Sequence, residues 1–456
     1  MTRTNCALAA ASTCAASIGL SLCLAVSATA QTPPADAAQR PGAPKLPEPF
    51  HTPSAIKFVE VIPWPADRTP TAPPGFRVTA LARDLESPRW ITVLPNGDIL
   101  VAQSRTLPKP EKKAEAPKSE EDKKKAEGMK KSKTVTGESP DQITLLRDAN
   151  GDGRPEIRET YLEGLNQPFG MALLAVGGKE TLFVANTDSL VAYPYQAGQN
   201  RLDAKGMKVL DLPAGGYNNH WTRNVVANAD GTKLYVSVGS ASNVGEYGTA
   251  AEVLRACILE VNPDGTALRV FAEGLRNPVG MAWEPQTGAL WTAVNERDEL
   301  GDELVPDYLT SVREGAFYGW PYAYFGNHED PRRKGERPDL VRKSVVPDYA
   351  LGAHTASLGL AFYRGQAFPE KYRSGAFIGQ RGSWNRSEFV GYRVAFVPFK
   401  DGQPAGKTED FLTGFLANDT QAYGRPVGVA VAKDGSLLVA DEPGNTVWRI
   451  SPDDNR

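Results

Sequence analysis

The 456-residue sequence predicts an all-β protein, a six-bladed β-propeller preceded by a disordered or extended N-terminal arm. Two observations carry this prediction. The chain has 43 Gly and 36 Pro but only 4 His and 5 Met, which is typical of a turn-rich chain rather than a helical bundle. A strand–turn–strand pattern also recurs along the chain, and units of that kind stack as blades around a common axis.

Six segments carry this repeat. Each has a Pro or a small residue, an apolar strand, a turn with Gly, and a second apolar strand. The four clear members are Glu86 to Gln103, Asn166 to Asn186, Arg276 to Asn295 and Gly424 to Glu442, and the two divergent members are His220 to Ser240 and Ala356 to Gln380. Their spacing of roughly 40 to 80 residues, with variable insertions, suits propeller blades. We therefore predict six blades.

The first thirty residues have the pattern of a secretory signal peptide, cleaved after Ala30. Arg3 lies near the start, an apolar run extends from about Ile18 to Val26, and small residues precede the cleavage site. That run is too short to span a bilayer. The signal contains three of the four cysteines, Cys6, Cys14 and Cys23, and leaves only Cys257 in the mature chain. We expect a periplasmic or secreted protein without a membrane span and without an intramolecular disulfide.

Two low-complexity segments flank or interrupt the predicted propeller of residues 75–456. Residues 31–74 are rich in Pro and Ala and predict an extended tether with little regular structure. Residues 104–140 contain a Lys/Glu run with almost no large apolar side chain, and we interpret them as a disordered insertion rather than a binding tail or a lasting helix. The formal net charge of −3 gives no electrostatic reason to expect a nucleic acid as partner.

The stretch DANGDGRPEIRE, Asp148 to Glu159, matches the calcium-binding loop of an EF-hand. An EF-hand needs a helix on each side of this loop. The flanking sequences DQITLLR and IRETYLEGL suit strands instead. We predict a hairpin turn at the rim of a blade, with adventitious calcium binding as the minority interpretation.

Polar and cationic side chains recur just before the first strand of each repeat, where they should meet around the mouth of the axial channel. The set consists of Arg89, Asn166, Gln167, His220, Arg223, Arg276, Asn277, His354 and Arg425. So many cationic groups at one axis favour an anionic ligand held by Arg, although any one of them could instead form a salt bridge to a loop. His220 is the candidate general base, because imidazole titrates near neutral pH, whereas His51 and His328 receive no role.

An acidic loop, NERDELGDELVPDY from Asn295 to Tyr308, follows the Arg276 repeat. Such a loop can bind a hard cation through carboxylates or backbone carbonyls, or it can be a solvated rim loop. The residues alone leave both open.

The motifs GYNNHWTRN, GLRNPVGMAW, NERDELGDELVPDYLT, REGAFYGWPYAY and DEPGNTVWRIS resemble those of sugar dehydrogenases that use pyrroloquinoline quinone (PQQ), the soluble glucose and sorbosone dehydrogenases. The similarity spans about Gly75 to Ser451, and the sorbosone branch is the closer match. The resemblance implies a six-bladed propeller and a PQQ- and calcium-dependent oxidation of an aldose or related hydroxy-aldehyde, with electrons leaving to an external acceptor.

The resemblance also implies roles for individual residues. His220 corresponds to the base that removes the substrate hydroxyl proton, and Arg276 and Asn277 to the pair at the quinone oxygens. Gln167 corresponds to a polar residue near substrate and base, and Arg381 and Arg425 to residues that bind the cofactor. The backbone carbonyls of Glu296 and Arg297 correspond to calcium ligands.

Two departures from the family pattern put glucose itself in doubt. The chain has GSASNVG from Gly239 to Gly245, with Ser240 in place of an acid, and it has a long insertion from Tyr318 to Val346. Two other functions remain open at this stage. A calcium-dependent sugar lactonase would need an acidic cage on the axis, and a non-catalytic propeller would bind a glycan or a protein.

Overall fold

The computed structural model describes residues 44–107, 120–133 and 138–453. Within them the chain forms six antiparallel blades of four main strands, as the repeats predict. Blade one comprises Pro88–Val93, Ile99–Gln103, Gln142–Arg147 and Ile157–Leu162. Blade two comprises Met171–Val176, Lys179–Ala185, Ser189–Pro194 and Met207–Asp211. Blade three comprises Arg223–Ala227, Leu234–Val238, Cys257–Val261 and Arg269–Glu273.

Blade four comprises Pro278–Trp283, Leu290–Val294, Pro306–Ser311 and Tyr349–Ala353. Blade five comprises Ser357–Phe362, Gly375–Gln380, Arg393–Lys400 and Glu409–Leu412, with the short strand Gln403–Pro404 beside its third strand. Blade six comprises Pro426–Val431, Leu437–Asp441 and Thr446–Pro452, and its outer strand is Phe76–Ala82. The ring is therefore closed by a strand from the beginning of the propeller, which pairs antiparallel with the last strand of the chain.

The first strand of every blade is innermost, and neighbouring innermost strands approach so closely that glycine is required between them. A β-carbon at Gly359 would lie 2.1 Å from the carbonyl oxygen of Val427, and one at Gly428 would lie 2.6 Å from that of Arg89. Backbone this close leaves no room for a side chain. This explains the Gly that follows Pro by two residues in several of the repeats.

The strand order defines two faces of the propeller. We call the face where the innermost strands begin and the second strands end the upper face. The hydrophobic core lies between adjacent blades; one such cluster includes Trp90, Phe169 and Val427. The polar residues of the repeats either precede the innermost strands or, like Arg89 and Arg223, lie at their first or second position, so they reach the upper face around the mouth of the channel.

The segment before the propeller lies along the upper face in an extended conformation. Its strand Glu60–Val61 pairs in parallel with Gln421–Ala422. The backbone N–H of Lys57 donates to the Trp384 carbonyl at 2.8 Å, and the indole of Trp64 donates to Asp441 Oδ2 at 2.7 Å. The expected extended arm is confirmed for residues 44–74, whereas the predicted signal peptide lies outside the described residues.

The Lys/Glu insertion does not lack structure throughout, which corrects our interpretation. Residues Glu120–Lys131 form an α-helix. Lys123 pairs with Glu120 and Lys131 with Glu127, at the three- and four-residue spacings that support a helix. The helix also packs on the arm at Gly128, a contact that the composition could not predict.

The insertion in blade four forms the strand pair Ala323–Tyr324 and His328–Glu329 and the helix Pro338–Lys343. The insertion packs beside the outer strand of blade three, where the Tyr318 N–H donates to the Glu273 carbonyl at 2.9 Å. Two 3₁₀ turns, Thr249–Glu252 and Glu370–Tyr372, complete the elements. None of the described helices is both long and apolar enough to cross a membrane.

The loop that resembles an EF-hand is a hairpin between the third and fourth strands of blade one, as predicted, and it lies on the lower face. Asp148, Asp152 and Glu156 place carboxylate oxygens within 4.8 Å of one another, and they are the group of described residues that could hold a metal ion. Glu159 belongs to the following strand and is not in this group.

Candidate functional site

His220 lies at the mouth of the channel, just before the innermost strand of blade three. Its Nδ1 lies 2.8 Å from the carbonyl oxygen of Ser240 and 3.0 Å from the Ser240 hydroxyl. A carbonyl oxygen only accepts, so Nδ1 carries the proton and donates it. Burial, followed by the charge of Arg276, holds the pKa of His220 well below its usual value. The imidazole is therefore neutral, and Nε2, which has no hydrogen-bond partner among the described residues, offers a lone pair.

Arg276 and Asn277 lie next to His220 because Ser240 and Gly239 join the two elements. The Ser240 N–H donates to the Arg276 carbonyl at 2.8 Å. A β-carbon at Gly239 would lie 2.5 Å from the β-carbon of His220 and 2.4 Å from Asn277 Oδ1. Oδ1 of Asn277 is buried and has no hydrogen-bond partner in the described part of the chain. The structure thus brings the predicted base and the predicted Arg–Asn pair together.

The guanidinium of Arg276 is held firmly by two loops. It donates to Asn243 through Nε at 3.2 Å and Nη2 at 2.9 Å, and through Nη1 to the carbonyls of Asn295 at 3.1 Å and Glu296 at 2.6 Å. These bonds use four of the five N–H groups of an arginine. Asp298 lies 3.6 Å from Nη2. Arg276 therefore acts on a ligand mainly through its charge.

Three arginines surround one glutamate on the other side of the mouth. Glu442 pairs with Arg89 at 2.5 Å and with Arg381 at 2.6 Å. Arg425 donates to the backbone carbonyls of Arg381 at 3.0 Å and Gly382 at 2.8 Å. We call Arg89, Arg381, Arg425 and Glu442 the arginine group.

Charge in the arginine group favours an anion. Burial alone would raise the pKa of Glu442, but Arg381 and Arg89 lower it to about 2, so the carboxylate stays ionised. Burial, with the charge of Arg381, lowers the pKa of Arg425 to about 10. Three cations and one anion leave a positive excess at neutral pH. Nε of Arg89 is buried without a partner among the described residues, and Arg89 lies 4.9 Å from the ring of Trp221.

Sequence reasoning missed Glu442, although a signal was present. The repeat predicts that residues after each second strand also reach the upper face, and Glu442 directly follows Leu437–Asp441. Our candidate list was drawn chiefly from residues that precede the first strands. Applying the second position as well would have placed Glu442 beside Arg381, which follows the second strand of blade five.

The predicted calcium ligands lie in the loop that holds Arg276. The Glu296 carbonyl oxygen accepts a hydrogen bond from the Arg276 guanidinium. This oxygen therefore does not fit a calcium ion while the guanidinium, which carries a positive charge like the ion, is bound to it. The Glu296 side chain is buried, which raises its pKa to about 7. The Arg297 side chain pairs with Asp330 at 2.5 Å, and no hydrogen bond to its carbonyl oxygen occurs among the described residues.

The remaining candidates have structural contacts. Arg223 is fully buried and donates to the His220 carbonyl at 2.6 Å, so it stabilises the loop that carries His220. Nε2 of Gln167 donates to the Arg105 carbonyl at 2.7 Å. The ring of His354 contacts Asp298 at 3.3 Å and the Gly301 carbonyl at 2.8 Å. Asn166 donates to Asp188 at 2.7 Å.

Two family models match parts of the chain. One described as "Glucose / Sorbosone dehydrogenase" matches residues 184–384, and one described as "TrAA12-like" matches residues 336–452. The first range includes His220, Arg276 and Arg381. The chain is thus similar to the glucose/sorbosone dehydrogenase family over somewhat less than half of its length.

Relatives and solved structures extend the similarity. The chain is 33% identical to an uncharacterized protein of Borreliella burgdorferi over 52% of its own length, and 32% identical to the aldose sugar dehydrogenase YliI of Escherichia coli over 42%. It spans 62% and 46% of the lengths of these relatives. The PQQ domain of pyranose dehydrogenase from Coprinopsis cinerea has the same fold, with a TM-score of 0.66 and 19% identity over 87% of this chain and all of the other. The soluble aldose sugar dehydrogenase of Escherichia coli in its apo form gives a TM-score of 0.54 and 17% identity over 83% of this chain and 100% of the other.

Proposed function

We propose that this protein is a PQQ-dependent dehydrogenase that oxidises an aldose or a related hydroxy-aldehyde of the sorbosone type. The observation that carries the proposal is the neutral His220, which lies beside Arg276–Asn277 on the face of the propeller where the arginine group also lies. The match to the glucose/sorbosone dehydrogenase family model and the similarity to an aldose sugar dehydrogenase support the same conclusion.

The residues of the mouth fit an anionic, planar cofactor. The arginine group has a positive excess, and Arg89 Nε is a buried donor without a partner among the described residues. PQQ carries carboxylates, which guanidinium groups bind well. Arg89, Arg381 and Arg425 would hold these carboxylates, with Asn277 and Arg276 at the quinone end. When bound, PQQ supplies the carbon that accepts a hydride from the substrate.

The protein supplies the base and the electrostatic environment. Oxidation of a sugar hydroxyl removes one proton and one hydride, and His220 Nε2 would take the proton. Its donor bond to the Ser240 carbonyl fixes the tautomer and stabilises the imidazolium that forms. The fixed charge of Arg276 favours negative charge near Asn277 without reorganisation during the reaction.

A calcium requirement belongs to the same proposal through the family resemblance. Arg276 would have to leave the Glu296 carbonyl oxygen before that oxygen could bind the ion. The contribution of calcium is tested by comparing PQQ binding and activity with and without Ca²⁺.

The first experiment titrates purified apo-protein with PQQ in the presence of Ca²⁺ and follows the cofactor's absorbance and then dye reduction on adding sugars. We expect saturable binding, and activity that disappears in His220→Ala while PQQ binding remains. His328→Ala is the matched control, because His328 lies in the outer hairpin of blade four. No binding at micromolar PQQ would overturn the proposal.

We further propose that the protein acts in the periplasm and passes its electrons to an external acceptor. The predicted signal peptide and the absence of a membrane-spanning helix among the described residues support this location. N-terminal sequencing of the protein recovered from a periplasmic fraction should begin at Gln31. A mature chain that retains Met1 would contradict it.

A further inference from the structure

The helix of the Lys/Glu insertion packs on the arm and on an upper loop of blade five. Both ends of the insertion join blade one, at Gln103 and Gln142. A β-carbon at Gly128 would lie 2.1 Å from the ring of Phe58, so the helix rests directly on the arm. Phe58 in turn stacks on Trp384 of blade five, with 5.5 Å between ring centroids. The helix therefore lies beside the upper loop of blade five, which carries Arg381 of the arginine group.

Lys125 of this helix contacts the upper loop of blade five. Its ammonium lies 4.5 Å from the centroid of the Trp384 ring, and the side chain is half-buried, whereas Lys123 and Lys124 are exposed. Trp384 follows Arg381 by three residues in the same upper loop. The next residue, Asn385, accepts a hydrogen bond from the Glu299 N–H at 2.8 Å.

Trp384 links Lys125 to the arginine group. It lies in the same upper loop as Arg381, whose guanidinium pairs with Glu442 at 2.6 Å. Lys125 is thus near the arginine group through Trp384.

We propose that Lys125 is a further ligand-binding residue of this site, a cation that the insertion helix adds to the rim for an anionic, carboxylate-bearing ligand. This inference rests on the proposed function, in which PQQ is that ligand. Trp384 positions the ammonium, and the contact of Gly128 with Phe58 holds the helix on the arm. The composition of the insertion, rich in Lys and Glu, does not distinguish this one lysine from its neighbours.

The test measures PQQ affinity of the apo-protein by absorbance titration at low and high salt. For Lys125→Ala we expect binding weaker by about 3- to 10-fold and a smaller loss of affinity as salt is raised, as for one partly exposed charge contact. Lys125→Glu should weaken binding further. Lys124→Ala, which removes the same charge from an exposed position on the same helix, should stay within about twofold of the parent.

A second variant tests the contact between Gly128 of the helix and Phe58 of the arm. Gly128→Leu cannot rest on Phe58, so it should lift Lys125 from the rim and weaken PQQ binding as Lys125→Ala does. Thermal melting of each variant checks that the propeller is intact. Parent-like affinity in Lys125→Ala, or equal losses in Lys125→Ala and Lys124→Ala, would overturn the inference while the proposed function stands. A parent protein that binds no PQQ would overturn both.

Discussion

Nδ1 of His220 donates to the backbone carbonyl of Ser240 at 2.8 Å, and the Ser240 N–H donates to the Arg276 carbonyl at 2.8 Å. One residue therefore couples the candidate base to the candidate electrostatic residue. The link uses the backbone of Ser240, so it survives a change of that side chain. This matters here because Ser240 is a departure from the family pattern.

Replacement of His220 should separate chemistry from cofactor binding. Loss of a general base costs about 10²- to 10⁴-fold in rate, so we expect kcat of His220→Ala to fall by that amount. PQQ affinity should change little, because the arginine group is intact. Ser240→Ala should keep most of the activity, because the carbonyl that orients the ring remains. A Ser240→Ala variant as inactive as His220→Ala would show that the hydroxyl, not the carbonyl, orients the base.

Glu442→Gln should destabilise the protein and increase the effect of the cofactor on its stability. The change leaves Arg89 and Arg381 buried without their counterion, which costs about 3 kcal/mol in comparable pairs. Carboxylates of PQQ would then neutralise these arginines. We expect a lower melting temperature without PQQ and a larger increase on adding PQQ than in the parent. Glu60→Gln, an exposed change on the arm, is the control, and equal PQQ-induced increases in all three proteins would contradict the prediction.

Glu442 also predicts how stability depends on acid. Its pKa is about 2 in the folded protein, below the ordinary value of 4.5. The unfolded chain therefore binds a proton first as the pH falls, and the stabilisation by Glu442 is present above about pH 4.5 and lost progressively toward pH 2. Urea unfolding at pH 5 and pH 3 should show a smaller loss in Glu442→Gln than in the parent. Identical losses would mean that the carboxylate is not ionised as described.

Gly359→Ala tests the packing of the innermost strands. The added β-carbon would meet the Val427 carbonyl at 2.1 Å, and backbone on both sides limits relief. We expect a loss of about 3 kcal/mol or more in the free energy of unfolding. Gly215→Ala, at a position with no atom within 4 Å, should change it by less than about 0.5 kcal/mol. Chemical denaturation of the two variants measures the difference in the free energy of unfolding. A Gly359→Ala variant as stable as Gly215→Ala would contradict the explanation of the repeat glycines.

The blades and much of the site were predictable because both follow from a repeat. A repeat predicts which end of each strand reaches which face of the propeller. This alone placed His220, Arg276 and Asn277 on one face. The same reasoning could not supply the partners of side chains. Arg89 and Glu442 lie at opposite ends of the propeller sequence, and only the closed ring brings them within 2.5 Å.

The insertion shows a different limit. Its composition has few apolar residues, and composition alone cannot reveal a contact made by a glycine. The helix Glu120–Lys131 rests on Phe58 at Gly128, where the lack of a side chain permits the approach. Likewise, the acidic loop suggested a cation as ligand, but nothing in its sequence indicated that Arg276 would donate a hydrogen bond to the Glu296 carbonyl oxygen.

The outer strand of blade six, Phe76–Ala82, pairs with Thr446–Pro452, so the ring closes between segments at opposite ends of the propeller sequence. Contacts between such distant segments form late, because the entropy of closing the intervening loop must be overcome first. Arg89 of blade one and Glu442 of blade six meet only across the same seam. The complete arginine group is thus a property of the closed ring: a chain arrested before closure would keep Arg381 and Arg425 beside Glu442 but would lack the contact with Arg89.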